Sequence, residues 1–234
     1  MGERSVESRW RLRVCRGSRE LGGELVVTRL VDLSHTILHD MPVYPYDAPV
    51  KLYQDKYLDA DGYNNFQLET GMHSGTHIDT PMHLTDSEMY VSDMSLDFFM
   101  GNGCLLDVRG ESVIGFKEEY SSIVSEQDIV LLYTNHSAVY GTETYYTQHP
   151  IIDDSLAGFF IQKQVKMLGM DLPSPDRYPF KIHRKLLSHN ILIIENLTNL
   201  SALRGAEEFE IMAFPLKILA DASVVRVVAR IGGR

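Results

Sequence analysis

Short apolar runs separated by polar turns dominate the hydrophobic pattern of the chain. Most of these runs have the limited length and the β-branched content of buried strands. The candidate strands are 30–33, 103–108, 128–133, 165–169, 190–194, 209–220 and 224–231. Between the first two of them, Pro42, Pro45 and Pro49 exclude a helix and predict a loop.

Two segments between the strand candidates have helical character. The first covers residues 155–163, with Ser155 as its predicted N-cap. The second covers 182–189 and ends at Asn190. Because strand and helix candidates alternate along the chain, the predicted fold class is α/β.

Composition predicts one ordinary globular domain, since 44% of the 234 residues are apolar and 23% are charged. No apolar run approaches the ~18 residues that cross a bilayer, so we expect a soluble, cytoplasmic protein without a membrane partner. The net charge of −10 argues against a nucleic-acid partner. Two cysteines are too few for a disulfide framework, so any metal must be held by histidines and carboxylates.

Charge is distributed unevenly along the chain. Residues 1–30 carry seven arginines and four glutamates, a net charge of +3. The remaining 15 basic and 28 acidic residues give 31–234 a net charge of −13. This break predicts that residues 1–28 form an appendage, loosely attached or foreign to the native protein, beside a domain at 29–234. A further hypothesis is that Gly22-Gly23-Glu24 is a translated ribosome-binding stretch and that synthesis begins near Val26 or Val27.

Candidate chemistry concentrates in residues 73–83, which contain three of the nine histidines and an aspartate. Gly75 and Pro81 disfavour a helix there. In an extended chain all odd positions project to one face, while Ile78 projects to the other and packs. The polar face would carry His73, His77, Asp79 and His83.

Spacing decides whether these side chains could share an ion. A straight strand would hold the Cα atoms of His73 and His77 ~13 Å apart, too far for both rings to bind one ion at ~2.0–2.1 Å. Gly75 is therefore predicted to bend the backbone between them, whereas Asp79 needs no bend to join His77. Such a set suits Zn²⁺ or Mn²⁺ and leaves a position open for water and substrate. The alternative is a loop whose histidines are satisfied without metal.

At these residues the sequence resembles the cyclase family of metal-dependent hydrolases, whose members include bacterial kynurenine formamidase and isatin hydrolase. The family signature, His-x-Gly-Thr-His-x-Asp-x-Pro-x-His, is matched at every fixed position of 73–83. The similarity also covers 32–35, 41–45, 169–176 and 194–200. It implies a mixed-sheet single domain of the swivelling β/β/α type, assembled as a homo-oligomer, either dimer or tetramer.

The resemblance also implies a second metal ion. His183 and Glu195, twelve residues apart, reproduce the family spacing of its ligands, with Asp79 as a bridge, so each chain would bind two divalent ions. Glu195 follows the strand candidate 190–194, where active-site groups of α/β proteins often lie. On its own it could equally be a solvated carboxylate, and His189 is a nearby competitor for the ligand role.

His83 is the predicted general acid and base, because an imidazole titrates near ~6.5, and Glu195 is a second catalytic candidate. The alternative role of His83 is a hydrogen bond to Asp79. The aromatic side chains expected to wall a substrate pocket are Tyr44, Tyr46 and Phe66. The chain departs from the family pattern at two places. Tyr46 stands where members often have a small residue, and 221–226 lacks the glycine and proline that often precede its arginine.

The leading functional interpretation is a metal-dependent hydrolase that cleaves the C–N bond of a small amide, formamide or lactam, with N-formylkynurenine as a candidate small-molecule substrate. One alternative keeps the metal and assigns dehydration or ring closure. Another is a metal-binding sensor or scaffold without catalysis, although such a protein would need neither His83 nor Glu195.

Overall fold

The computed structural model describes residues 18–21 and 24–232, and a nine-stranded mixed sheet organises most of them. Most residues of the predicted appendage, including Gly22 and Gly23 of the proposed ribosome-binding stretch, lie outside the described residues. Its described part contains β1 (Ser18–Leu21) and β2 (Glu24–Val27), which form an antiparallel hairpin. The remaining strands are β3 (Arg29–Asp32), β4 (Lys51–Lys56), β5 (Asn65–Glu69), β6 (His77–Asp79), β7 (Met100–Asp107), β8 (Val113–Ile114), β9 (Ile129–Tyr133), β10 (Ile151–Ile152), β11 (Met167–Met170), β12 (Leu192–Glu195), β13 (Phe209–Met212), β14 (Ala222–Val224) and β15 (Val228–Ile231). The helices are α1 (Leu58–Asp61), α2 (Tyr120–Ile123), α3 (Glu143–Thr147), α4 (Asp154–Gln162) and α5 (Lys181–Leu187).

Four parallel strands, in the order β12-β11-β9-β7, form the centre of the sheet. Antiparallel strands extend both edges: β6 and then β14 lie beyond β12, and β13, β15 and β3 lie beyond β7. The predicted α/β class with one mixed sheet is thus confirmed. Strands β4 and β5 pair as a separate antiparallel hairpin, and β8 pairs with β10.

The four central strands coincide with predicted strands, but the predictions near the C-terminus were too long. The run 209–220 is a strand only in β13, which ends at Met212. Pro215 cannot donate a ladder hydrogen bond, and it forms only an isolated bridge with Val225. The run 224–231 is divided, since β14 ends at Val224 and β15 begins at Val228.

Strand β9 shows how the sheet separates two apolar cores. All five of its residues are buried, and their side chains alternate between the two faces. Val130 and Leu132 pack with the helices on one face, and Ile129, Leu131 and Tyr133 pack in a second cluster on the other. The sheet is therefore covered on both sides, as expected for parallel strands.

Helices α4 and α5 cover the first of these faces, contributing Phe160 and Leu186 among others. The predicted helix at 155–163 is α4, but its N-cap is Asp153, whose side chain accepts a hydrogen bond from the Leu156 amide. The prediction that Ser155 is the N-cap was wrong. An N-cap residue precedes the first helical residue, and Ser155 is already the second residue of α4. In the described part of the chain, no helix combines the length and hydropathy of a bilayer-spanning segment.

Candidate metal centre

The metal-ligand candidates meet where β6 joins the edge of the parallel strands. In the antiparallel ladder His77 lies opposite Glu195, and Asp79 lies opposite Ile193. Ile78 packs in the apolar cluster on the far face, so its two neighbours in β6 project to the face covered by α5. Helix α5 brings a third element, since its buried His183 reaches Asp79.

The backbone of 73–83 bends where the sequence requires it. Gly75 has φ of +61°, a left-handed conformation that favours glycine, and the predicted bend is confirmed. The expectation of one extended segment was wrong beyond β6. His73 lies in a turn before the strand, and Pro81 begins a short 3₁₀ turn that carries His83, because proline is readily accommodated at the first position of a helical turn.

Three side chains define the first part of the centre. The distance from His73 Nδ1 to Asp79 Oδ1 is 2.8 Å, and that from His77 Nε2 to the same oxygen is 3.5 Å. Ligand atoms bound to one ion at ~2.0–2.1 Å stand roughly 3–3.5 Å apart. One atom of each side chain lies within 4.8 Å of the others, so the three converge as the sequence predicted.

The second part surrounds the other oxygen of Asp79. His183 Nε2 lies 3.1 Å from Asp79 Oδ2, and His183 Nδ1 lies 3.9 Å from Glu195 Oε1. The other oxygen of Glu195 lies 3.4 Å from His77 Nε2. Asp79 thus presents one oxygen to each half of the centre, which is the geometry of a bridging carboxylate.

The hydrogen-bond pattern fits a bound cation. His77 Nδ1 donates to the Gly75 carbonyl oxygen at 2.8 Å, which leaves the lone pair of Nε2 directed at the carboxylates. Within the described residues His77 Nε2, His183 Nδ1 and Glu195 Oε1 are buried without any hydrogen-bond partner. Buried polar atoms are rarely left unpaired. A divalent cation beside His77 Nε2 and a second one beside Glu195 Oε1 would satisfy these two atoms.

The pKa shifts of the histidines and of Asp79 also fit a cation site. Burial alone would lower the pKa of His73, but the carboxylates of Asp79 and Asp221 raise it to about 10. The pKa of His77 and of His183 is also raised, since the nearby carboxylates outweigh burial. Despite burial, the charge of His77 and hydrogen bonds from His183 and His73 hold the pKa of Asp79 well below its usual value. Without a metal ion the centre therefore takes up protons, as a strongly anionic site does.

Asp221 is a member of the centre that the sequence did not predict. Its Oδ2 lies 3.1 Å from His73 Nε2 and 3.1 Å from His83 Nδ1. Asp221 precedes β14, which pairs with β6, and that pairing leaves no local signal in the sequence. The segment 221–226 was identified only as a departure from the family pattern. The hydrogen bond of His83 goes to Asp221, not to Asp79 as in the alternative proposed for it.

A cavity of about 360 Å³ opens over the centre, a size that accepts a small organic molecule. Tyr44 lines it as predicted, with Tyr146 packed edge-on against its ring at 5.9 Å. Tyr46 and Phe66 do not. Tyr46 adopts a left-handed turn that points its side chain fully into solvent, and Phe66 is 59% exposed on the outer hairpin strand β5.

Two further positions can be assigned. Phe180 also lines the cavity, and no pattern in the sequence distinguishes it or Tyr146 from core aromatic residues. His189, the competitor for the ligand role, is exposed near the end of α5, where its ring hydrogen-bonds the Lys185 carbonyl oxygen. It lies outside the centre, whereas His183 lies beside Asp79.

The chain is similar to known proteins in sequence and in fold. The cyclase family model matches residues 31–177. The kynurenine formamidase of Bacillus mycoides is 28% identical over 206 residues, which cover 86% of this chain and 96% of the formamidase. The kynurenine formamidase of Bacillus anthracis is 28% identical over 211 residues, which cover 87% of this chain and 98% of that formamidase. Isatin hydrolase A from Labrenzia aggregata superposes with a TM-score of 0.79 at 21% identity, covering 88% of this chain and 94% of the hydrolase. A predicted metal-dependent hydrolase from Bacillus stearothermophilus gives 0.71 at 22% identity, covering 87% and 98%.

Proposed function

The chain belongs to the cyclase family, and we propose that it is a metal-dependent hydrolase that cleaves the C–N bond of a small amide, formamide or lactam. The convergence of His73, His77 and Asp79, with unpartnered buried atoms beside them, carries this proposal. Among the described residues, four of the buried side-chain atoms without a hydrogen-bond partner belong to this one cluster, on His77, Asp79, His183 and Glu195.

The residues present fit two divalent ions, Zn²⁺ or Mn²⁺. His73, His77 and Asp79 would hold the first, and His183 with Glu195 would hold the second, with Asp79 shared. When bound, such ions supply Lewis acidity that polarises a carbonyl group and acidifies water. The remaining contribution to catalysis comes from side chains of this chain.

His83 is placed to move the proton. It lines the cavity beside the centre, and burial lowers the pKa of its imidazole, so the ring is neutral at pH 7. Its Nδ1–H donates to Asp221, which leaves Nε2 able to accept a proton from the attacking water. The same nitrogen would then return the proton to the departing nitrogen of the substrate. Glu195 is proposed to act through its ligand role.

The wall of the cavity favours a substrate with an aromatic part, because Tyr44, Tyr146 and Phe180 line it. Similar proteins are named kynurenine formamidase and isatin hydrolase, so an aryl formamide such as N-formylkynurenine and a lactam are the first substrates to test. A dehydratase or cyclase would use the same centre, and a sensor would use it without turnover. The Asp221 partner of His83 favours an enzyme, since a binding site has no need of an oriented base.

Metal analysis of the purified chain, followed by hydrolysis assays on an aryl formamide and a lactam, tests the proposal. We expect two ions per chain and turnover of one of these substrates. His83→Ala should lower kcat by roughly 10²–10⁴-fold while retaining both ions, and the exposed His189→Ala serves as a matched control with normal activity. One ion per chain would remove His183 and Glu195 from the ligand set. A metal-loaded chain without turnover on any amide, formamide or lactam would contradict the proposed function.

Assembly and location are proposals that rest on the family resemblance. We propose a homodimer or homotetramer in the cytoplasm, with a small molecule as the functional partner. The exposed side chains Phe66 and Leu68 lie on one face of the β4–β5 hairpin and give such an assembly an apolar contact surface. Light scattering of the purified chain and fractionation of cells test the two statements.

A further inference from the structure

We propose that Asp221 is a positioning residue that fixes the tautomers of two histidines at once, one that binds metal and one that moves the proton. The inference rests on the proposed function. Its basis is a single carboxylate oxygen, Oδ2, that lies 3.1 Å from His73 Nε2 and 3.1 Å from His83 Nδ1.

The geometry assigns the protons on both rings. His73 Nδ1 faces Asp79 Oδ1 at 2.8 Å and must offer a lone pair to bind an ion there. Its other nitrogen therefore carries the hydrogen, and that N–H donates to Asp221. His83 likewise donates from Nδ1 to the same oxygen, so its Nε2 carries the lone pair. A carboxylate accepts both bonds, since it has no hydrogen of its own at neutral pH.

The position of Asp221 is itself rigidly held through its main chain. Its carbonyl oxygen accepts hydrogen bonds from the amide of Thr80 at 3.2 Å and from the Thr80 hydroxyl at 2.8 Å. Thr80 follows Asp79, and Ala222 pairs with Asp79 in the ladder between β14 and β6. The carboxylate is thereby fixed relative to the metal ligands, and its side chain can be replaced without breaking these backbone contacts.

A direct ligand role for Asp221 is the competing interpretation, since His73, His83 and Asp221 also have ligand atoms near one another. The environment favours positioning. The Asp221 side chain is 38% exposed, whereas that of Asp79 is 1% exposed. Both ring nitrogens near Asp221 lie at hydrogen-bond distance from one oxygen, and the lone pair of His73 is directed elsewhere.

Asp221→Ala removes the acceptor, and Asp221→Asn keeps an acceptor oxygen without the charge. The Zn²⁺-loaded full chain, labelled with ¹⁵N-histidine, reports the tautomers by long-range ¹H–¹⁵N spectra, with His83→Ala assigning the His83 signals. We expect His83 to be in the Nδ1–H form in the wild type and to lose that form in Asp221→Ala. Zn²⁺ affinity, measured by competition with a chelator, should fall on the order of 10–100-fold, with the Asn variant intermediate.

Control and outcomes separate the possibilities. Exposed Asp86→Asn, on the same loop as His83, should leave the tautomer and affinity unchanged. An unchanged His83 tautomer and Zn²⁺ affinity in Asp221→Ala would overturn the positioning role, and so would loss of one whole ion, which would identify a ligand. In an active enzyme the positioning role also predicts a lower kcat with an unchanged KM. If the wild type hydrolyses no amide, the proposed function fails, but the tautomer and affinity measurements still decide the role of Asp221.

Discussion

Replacing Gly75 with alanine tests whether the bend that gathers the metal ligands depends on glycine. Gly75 has φ of +61°, and a Cβ atom at this position would lie 2.8 Å from the methyl carbon of Met41. Its carbonyl oxygen accepts hydrogen bonds from His77 Nδ1 at 2.8 Å and from Asn196 Nδ2 at 2.9 Å. A shift of this peptide would therefore turn the His77 ring that faces the ion.

Two terms set the expected loss of stability. An L-residue in the left-handed region costs about 1–2 kcal/mol, reduced by about 0.4–1 kcal/mol because alanine restricts the unfolded chain. Displacing the buried Met41 adds a cost at the lower end of the about 1–3 kcal/mol range for overpacking, since its methyl group is the far end of a flexible side chain. Gly75→Ala should therefore lower the free energy of unfolding by about 2 kcal/mol.

Gly62→Ala provides the matched control, because Gly62 has φ of +80° and no atom of the described residues lies within 4 Å of an added Cβ. Urea unfolding of both variants without metal measures their losses in the free energy of unfolding. The backbone contributes about 1 kcal/mol to the loss in each variant, so the additional loss in Gly75→Ala reports the contact with Met41. Zn²⁺ affinity should fall roughly 10–100-fold in Gly75→Ala alone. Equal stability losses in the two variants, with normal Zn²⁺ affinity in both, would refute the role assigned to this bend.

Two other predictions follow from single residues. Asp79→Asn should abolish binding of both ions, because its two oxygens serve the two halves of the centre, whereas His183→Gln should weaken binding of one ion only. Counting metal ions per chain distinguishes the two variants, and equal loss in both would argue against a bridge. Burial and nearby positive charge lower the pKa of His149 from 6.5 to about 4. As pH drops, His149 is therefore protonated in the unfolded chain before it is protonated in the folded chain. The free energy of unfolding should fall between about pH 6.5 and about pH 4, by at most about 3 kcal/mol. His149→Gln should flatten that part of the pH profile of unfolding, and an unchanged slope would contradict the assignment.

The sequence predicted what short-range patterns encode. The four central strands are apolar runs whose successive side chains pack into the two cores on opposite faces of the sheet. Helices α4 and α5 lie where the helical segments were predicted. In the centre itself, Gly75 lies between two histidines that a straight strand would separate, so the bend could be inferred from distance alone. These features depend on residues a few positions apart, and local physics is sufficient to predict them.

Features that depend on pairing between distant segments could not be predicted. Asp221 contacts His73 across 148 residues, and only the pairing of β14 with β6 brings them together. Phe66 was assigned to the pocket wall because it is aromatic. Within the described residues β5 pairs with β4 alone, and the side chain of Phe66 is exposed to solvent. Residue type alone does not identify the side of a hairpin that faces the site.

The register of β6 makes the centre. Ile78 is completely buried among apolar side chains on one face, while His77 and Asp79 face α5 on the other. A slip of one residue would exchange the faces and place an imidazole and a carboxylate in the apolar cluster, at a cost of several kcal/mol. The packing of one isoleucine thus selects the pairing that sets His77 opposite Glu195 on β12, and the same strand aligns Asp79 with Ala222, the neighbour of Asp221. The burial of Ile78 in the apolar cluster therefore also places the ligand candidates of the centre.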